Sequence, residues 1–221
     1  MTPAFPPRLN AFRRDRAAAT AVEFAFVAPV LVLLALGGAD LTRYVVATER
    51  IEQAANTIGQ MITENSSGAV NYIDLQFYHD SAMVTFPDVL SDAATQGVAW
   101  WSDISITMSS VSFAPTPATC TSNCTYVPTM VWSAGDNRRS CTVKMTQTID
   151  ASVPTATTLP VDIYGPGSAI VVDLQYNFHP FFAPSFIGTI NIARSVYMAP
   201  RYVSLISYQA ISGDNGIATS C

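Results

Sequence analysis

The sequence predicts an α+β fold: a long N-terminal helix, first apolar and then amphipathic, packed against a small antiparallel β-sheet. Three observations carry this. Ala17–Ala39 is a run of 23 residues whose only ionisable member is Glu23. The following segment to about residue 64 repeats its apolar residues at helical spacing. Beyond residue 104 the period changes to two.

The apolar run comes first. As a helix it spans roughly 35 Å at about 1.5 Å per residue, enough for a hydrocarbon core of about 30 Å. Before it stand Arg8, Arg13, Arg14 and Arg16 against the single Asp15, a net +3; the remaining 205 residues hold seven basic and fifteen acidic groups, a net −8. Arg13, Arg14 and Arg16 immediately precede the run and are the topology signal: by the positive-inside rule they keep the N-terminus cytoplasmic and send the rest outward. A cleaved secretory signal is the competing reading, with Val22–Leu36 as its apolar core and Ala35-Leu36-Gly37 as a small-x-small cleavage site.

Within Asp40–Asn65, Leu41, Tyr44/Val45, Thr48, Ile51, Ala55, Ile58 and Met61/Ile62 fall at i, i+3, i+4 and i+7. Asn65-Ser66-Ser67-Gly68 supplies the stop. Together with the apolar run this makes one helix of about 48 residues and roughly 70 Å, with Pro29 loosening a turn. Two helices hinged at Gly37-Gly38 are the alternative. The organisation is therefore a basic tail over 1–16 (its first twelve residues unstructured, with three prolines), a transmembrane helix over 17–39, an amphipathic helix over 40–64 and an exported β-rich domain over 65–221.

In that domain residues 72–96 look helical, interrupted near Pro87. Ile104, Ile106 and Met108 then alternate, and Val111 and Phe113 follow out of phase, which suggests a bulge. TYVPTMVWSAG and SCTVKMTQTI flank Gly135-Asp136-Asn137 and predict a hairpin. Residues 150–168 form a Thr/Pro/Gly loop. In SAIVVDLQYNF, Ile170, Val172, Leu174, Tyr176 and Phe178 face one way and Asp173, Gln175 and Asn177 the other. HPFFAPSFIG is an aromatic turn, and GTINIARSVYMA returns as a strand.

Composition narrows the function. Charged residues make up 12% of the 221, about half the usual 25%. With a net charge of −5 the chain lacks the basic face of a nucleic-acid binder. It carries none of the G-x-S-x-G, H-E-x-x-H or P-loop patterns of the common enzyme classes, so neither catalysis nor a cofactor is expected. No metal-ligand set is legible. Asp103, Ser105 and Thr107 have a D-x-S-x-T spacing, but any half-buried strand alternates in this way. His79 beside Asp80 reads as a surface pair, and His179 beside Pro180 as part of a loop.

Cys120, Cys124, Cys141 and Cys221 all follow the apolar run. An even number on the exported side, at spacings poor for zinc, predicts two disulfides. Four cysteines allow three connectivities. With a hairpin centred near Asn137, Cys124 lies about 30 Å along the strand from Cys141, beyond the roughly 4.4–6.8 Å Cα separation of a disulfide. That geometry favours Cys120 with Cys124, and Cys141 with Cys221.

Glu23 needs a reason, because a carboxylate in hydrocarbon is costly unless paired. RAAATAVEFAFVAPVLVLLALGGADLTRYV resembles the N-terminal segment of type IV pilins and pseudopilins, and more closely that of the TadE-like (TadE/TadG-like) family of the tight-adherence (Tad/Flp, type IVc) pilus. Ser168–Tyr202 and Val131-Trp132-Ser133 are similar to the C-terminal part of its longer members. The resemblance implies a pilin-like fold and a minor pilin, pseudopilin or membrane-anchored assembly component. It implies that a prepilin peptidase cuts between Ala18, where the family usually has Gly, and Ala19, leaving Glu23 fifth and Phe24 sixth. The new α-amine can then pair with the Glu of a neighbouring helix. The implied partners are other pilus subunits, the inner-membrane assembly machinery and the inner membrane itself, with the C-terminal domain periplasmic or carried into an extracellular filament. An uncleaved inner-membrane assembly factor and a secreted soluble binding domain are the rival readings.

Overall fold

The computed structural model describes residues 16–149, 155–182 and 187–221. The tail expected over residues 1–12, and Arg13 and Arg14, lie outside them. Helix α1 runs unbroken from Arg16 to Thr63, 48 residues with Pro29 inside it. At about 1.5 Å per residue it is about 72 Å long. Gly37 and Gly38 are helical throughout, so the two-helix alternative does not describe this chain. At its end Asn65 accepts from the Ser67 N–H at 2.9 Å and donates to the Ala69 carbonyl at 3.0 Å. Gly68 then takes a left-handed φ of +74°, which a residue without a Cβ adopts freely.

The two halves of α1 differ in what surrounds them. The first is exposed through Phe24, Phe26, Val30, Leu33 and Leu34. The second buries Ala47, Ile51, Ala54, Ala55, Ile58 and Ile62. Leu41 and Val45, expected on that face, are exposed. The packed face enters instead through Asp40, Tyr44 and Ala47, because the carboxylate of Asp40 is held by backbone donors of a loop described below. Gly59 allows a close approach: a Cβ there would lie 3.1 Å from the Met198 Sδ.

Short helices follow: α2 (Tyr72–Asp80), α3 (Ala82–Thr85), α4 (Asp88–Gln96) and α5 (Trp100–Asp103). The first three fit the broken helical region expected over 72–96 around Pro87; α5 lies beyond it. Asn71 and Asp74 close a capping box on α2.

The sheet is antiparallel and five-stranded, in the order Ile190–Met198, Gly167–Phe178, Ile104–Thr116, Thr125–Gly135, Ala218–Ser220. Its strands are β2 (Ile104–Thr116), β3 (Thr125–Gly135), β6 (Gly167–Phe178), β7 (Ile190–Met198) and β9 (Ala218–Ser220). Two parallel pairs lie outside it: β1 (Ala69–Val70) with β8 (Ser207–Tyr208), and β4 (Thr146–Thr148) with β5 (Thr158–Pro160). One face of the sheet carries Ile104, Ile106, Met108, Trp132, Ile170, Val172, Leu174, Tyr176 and Phe178 against α1. The opposite face carries Val111, Phe113, Met130, Ala169 and Val171, with Met145 and Leu159 over them. Both clusters draw on alternate residues of β6, as its period-two pattern predicts.

Two expectations change. The bulge suggested by the phase slip in β2 belongs to β3. Strand β2 pairs with β6 in continuous register from Ile104–Tyr176 to Phe113–Gly167. Against β3 the register steps from Ser110–Trp132 to Val111–Met130, leaving Val131 as the extra residue. The apolar residues of β2 change phase because they pass from the α1-side core to the opposite one. The bulge in β3 makes the matching change, sending Trp132 to one face and Met130 to the other.

The hairpin about Asn137 does not form. Strand β3 instead pairs with β2 across the Cys120–Cys124 loop, and β9 occupies its other edge at Trp132–Ala134. No edge is left there for residues 140–149. Gly135 ends the strand with φ +100°, and a Cβ at this position would collide with the Ile106 carbonyl.

Candidate functional site

Three arrangements stand out, and α1 leads to the first. Glu23 and Phe24 are exposed on its apolar half. Arg16, Ala18 and Ala19 lie in the helix, their side chains outside the described residues. Among the described residues α1 is the one helix long and apolar enough to cross a membrane, and its apolar window is unburied.

At the end of that half, a loop from the sheet meets the helix. The backbone N–H groups of Phe181 and Phe182 donate to Asp40 Oδ1 and Oδ2, both at 2.9 Å. Arg43 lies 3.6 Å from Asp40 Oδ1, with its guanidinium 5.6 Å from the Phe178 ring centroid and 5.9 Å from that of Phe181. Tyr44 meets Phe178 edge-on at 5.6 Å. One carboxylate thus satisfies two loop donors, and one cation bridges two rings. Asp40 is 4% exposed, whereas Phe181 and Phe182 remain open to solvent.

The second arrangement lies beside this clamp. Asp92 on α4, Asp103 ending α5 and His179 just after β6 converge, with one potential ligand atom from each mutually within 4.8 Å. His179 Nδ1 lies 3.1 Å from Asp92 Oδ2 and 3.9 Å from Asp103 Oδ1. Tyr176 Oη donates to Asp92 Oδ2 at 2.5 Å. Burial, with Asp92 beside it, pushes the Asp103 carboxyl up to about 6 against the pull of His179. Burial and the bond to Asp92 raise Tyr176 well above the ordinary phenol value. Asp92 and His179 border a groove of about 760 Å³ that Arg43 and Phe181 also line.

His79 is less exposed than a surface pair would be, at 16% of its side chain. It contacts Asp80 at 3.1 Å and packs on the Trp100 ring. Ser105 and Thr107 do not join Asp103. They bond instead to Asn137, through its Nδ2 and its backbone N–H, so the D-x-S-x-T spacing is that of a strand.

The third arrangement lies on the sheet face away from α1. Arg139 Nε and Nη2 donate to Asp173 Oδ2 and Oδ1 at 3.0 and 3.1 Å, and Nη1 donates to the Thr158 carbonyl at 2.9 Å. Ser195 Oγ donates to Asp173 Oδ1 at 2.6 Å. Burial raises the Asp173 carboxyl, while Arg139 and Ser195 pull it back.

The cysteines pair as Cys120–Cys124 and Cys141–Cys221, with Cα separations of 5.7 and 5.3 Å. The second pair forms because β9 brings the C-terminal residues to the edge of β3, and the Cys221 N–H donates to the Val131 carbonyl at 2.8 Å.

These features define a class: an α+β protein whose single long N-terminal helix is apolar and open over its first half and forms one wall of the core over its second. Residues 18–59 of that helix match the family model of the TadE-like proteins, so the resemblance read in the N-terminal segment stands. No curated protein and no solved structure matches the chain. The family match covers that helix alone.

Proposed function

We propose that the chain is a minor pilin or pseudopilin of a bacterial tight-adherence pilus. Residues 1–16 stay in the cytoplasm, residues 17–39 span the inner membrane, and residues 65–221 form an exported domain. The observation that carries this is the match of residues 18–59 to the TadE-like family on a helix with an open apolar half. An exposed apolar stalk needs a cover, and lipid first and neighbouring stalks later both supply one. Cleavage between Ala18 and Ala19 leaves an α-amine four residues before Glu23. Pairing of that amine with Glu23 of a neighbouring subunit favours assembly, because each charge alone is costly in lipid. Other pilus subunits and the assembly machinery are the partners, and a prepilin peptidase makes the cut.

N-terminal sequencing of the mature protein, from both the membrane and the soluble fractions, tests this. A start at Ala19 is the expected result. An intact N-terminus would make the chain an uncleaved assembly factor, and a start near Gly38 a secreted domain.

A further inference from the structure

We propose that Asp92, Asp103 and His179 form a divalent-cation site that ties the short helices to the end of β6. The three residues come from separate elements, and their potential ligand atoms lie within 4.8 Å of one another. Ligands around zinc stand about 2.0–2.2 Å from the ion, which places them somewhat over 3 Å apart. The 3.1 and 3.9 Å separations about His179 Nδ1 are already close to that. The Asp92–Asp103 pair lies within the same 4.8 Å limit.

An unmet need at Asp103 points to a ligand independently. Its side chain is 2% exposed, its Oδ1 faces His179, and its Oδ2 is buried with no hydrogen-bond partner among the described residues. A buried carboxylate oxygen left unpaired costs free energy, and a cation satisfies it. The other carboxylate is already oriented, because Tyr176 Oη donates to Asp92 Oδ2. Such an outer hydrogen bond holds a ligating carboxylate in place.

The donor set, one imidazole nitrogen and two carboxylates, suits a borderline divalent ion of the zinc type. His179 must ligate through an unprotonated Nδ1, so any proton on that atom leaves as the ion binds. Solvent reaches the site through the groove beside His179, and water completes the coordination. Arg43, the nearby cation in that groove, is already engaged by Asp40.

The test is zinc titration of the full-length protein in detergent after chelator treatment. One equivalent should bind, and the melting temperature should rise with zinc, because a ligand of the folded state stabilises it. His179→Ala and Asp103→Asn should each weaken binding by at least the roughly ten- to hundredfold that loss of an outer-shell partner alone costs. His179 is partly exposed, so His179→Ala keeps the test open if the Asp103 variant fails to fold. His79→Ala should leave binding unchanged. A wild-type protein that takes up no zinc would overturn the proposal, as would binding that survives His179→Ala or disappears with His79→Ala.

Discussion

Arg139 and Asp173 form a fork-to-carboxylate ion pair on the sheet face away from α1, with the arginine side chain 1% and the aspartate 9% exposed. The pair joins the segment after β3 to the middle of β6. Through Nη1 it also reaches β5, and through Ser195 it reaches β7. The Arg139 N–H donates to Ser133 Oγ, which in turn bonds Ser109 Oγ at 2.9 Å. Four strands of the central sheet and the layer over it thus meet on one buried charge pair.

Removing one member leaves the other charged and buried. We expect Asp173→Ala or Arg139→Ala to destabilise the protein by about 3–5 kcal/mol. The double replacement Arg139→Met with Asp173→Leu should cost clearly less than the sum of the single losses. Urea denaturation of the detergent-purified chain, as a double-mutant cycle, measures this. An additive cycle would show that the two side chains do not act as a pair.

The strands and the long helix were legible because their apolar residues repeat at periods of 2 and 3.6. The pairing was not. Asn137 looked like a hairpin turn because Gly-Asp-Asn sits between two β-rich runs. Nothing local shows that Arg139 turns inward to meet Asp173, thirty-four residues on. Asp40 likewise carries no signal in the sequence, since its partners are backbone N–H groups of Phe181 and Phe182, which no side-chain pattern records. The Asp92–Asp103–His179 cluster is hidden for a related reason: its histidine lies 87 positions after Asp92, Asp92 belongs to no ligand motif, and the D-x-S-x-T spacing that holds Asp103 points to Ser105 and Thr107 instead. The alternation of Ile170 to Phe178 did identify Tyr176 as inward-facing, but not the carboxylate its hydroxyl would reach.

The Asp40 clamp gives a second prediction. Asp40→Ala leaves two loop N–H groups without their acceptor, and Asp40→Asn leaves one carbonyl oxygen to serve both. Hydrogen exchange at the Phe181 and Phe182 amides should speed up strongly in the alanine variant and by an intermediate amount in the asparagine variant. Loss of the two bonds should cost about 1–3 kcal/mol. Unchanged exchange at both amides would mean that the helix does not hold this loop.

Orientation is the third. The net +3 before the apolar run predicts that a phosphatase reporter fused after residue 65 is active, whereas one fused at residue 16 is inactive. Replacing Arg13, Arg14 and Arg16 by Gln should reduce the first signal. An inactive reporter after residue 65 in the unaltered chain would sink the proposed topology.

Glu23 gives the fourth. It lies on the open apolar half of α1, where a carboxylate opposes burial in lipid. Glu23→Ala should therefore leave insertion and stability intact while abolishing pilus assembly or co-purification of partner subunits. Normal pilus output from the Glu23→Ala strain would remove the charge-pairing mechanism and leave the anchor.

The disulfides give the last prediction, because the two bonds close loops of very different size. Cys120–Cys124 spans a separation of 4 residues and Cys141–Cys221 one of 80. In the chain-entropy account, the longer loop removes more freedom from the unfolded chain, about 4–5 kcal/mol against about 2 kcal/mol. The native side reinforces the difference. Cys221 follows β9, which holds only three paired positions against β3, so its strand depends on the covalent link. Cys120 and Cys124 bound a loop between two strands paired over ten positions, and those strands hold their register without it. Cys221→Ser should therefore lower the melting temperature more than Cys120→Ser combined with Cys124→Ser. It should also raise hydrogen exchange along Ala218–Ser220, whereas the double variant should leave β2 and β3 protected. Equal shifts from the two variants would contradict the loop-size argument, and a Cys124–Cys141 peptide in a non-reducing digest would contradict the pairing.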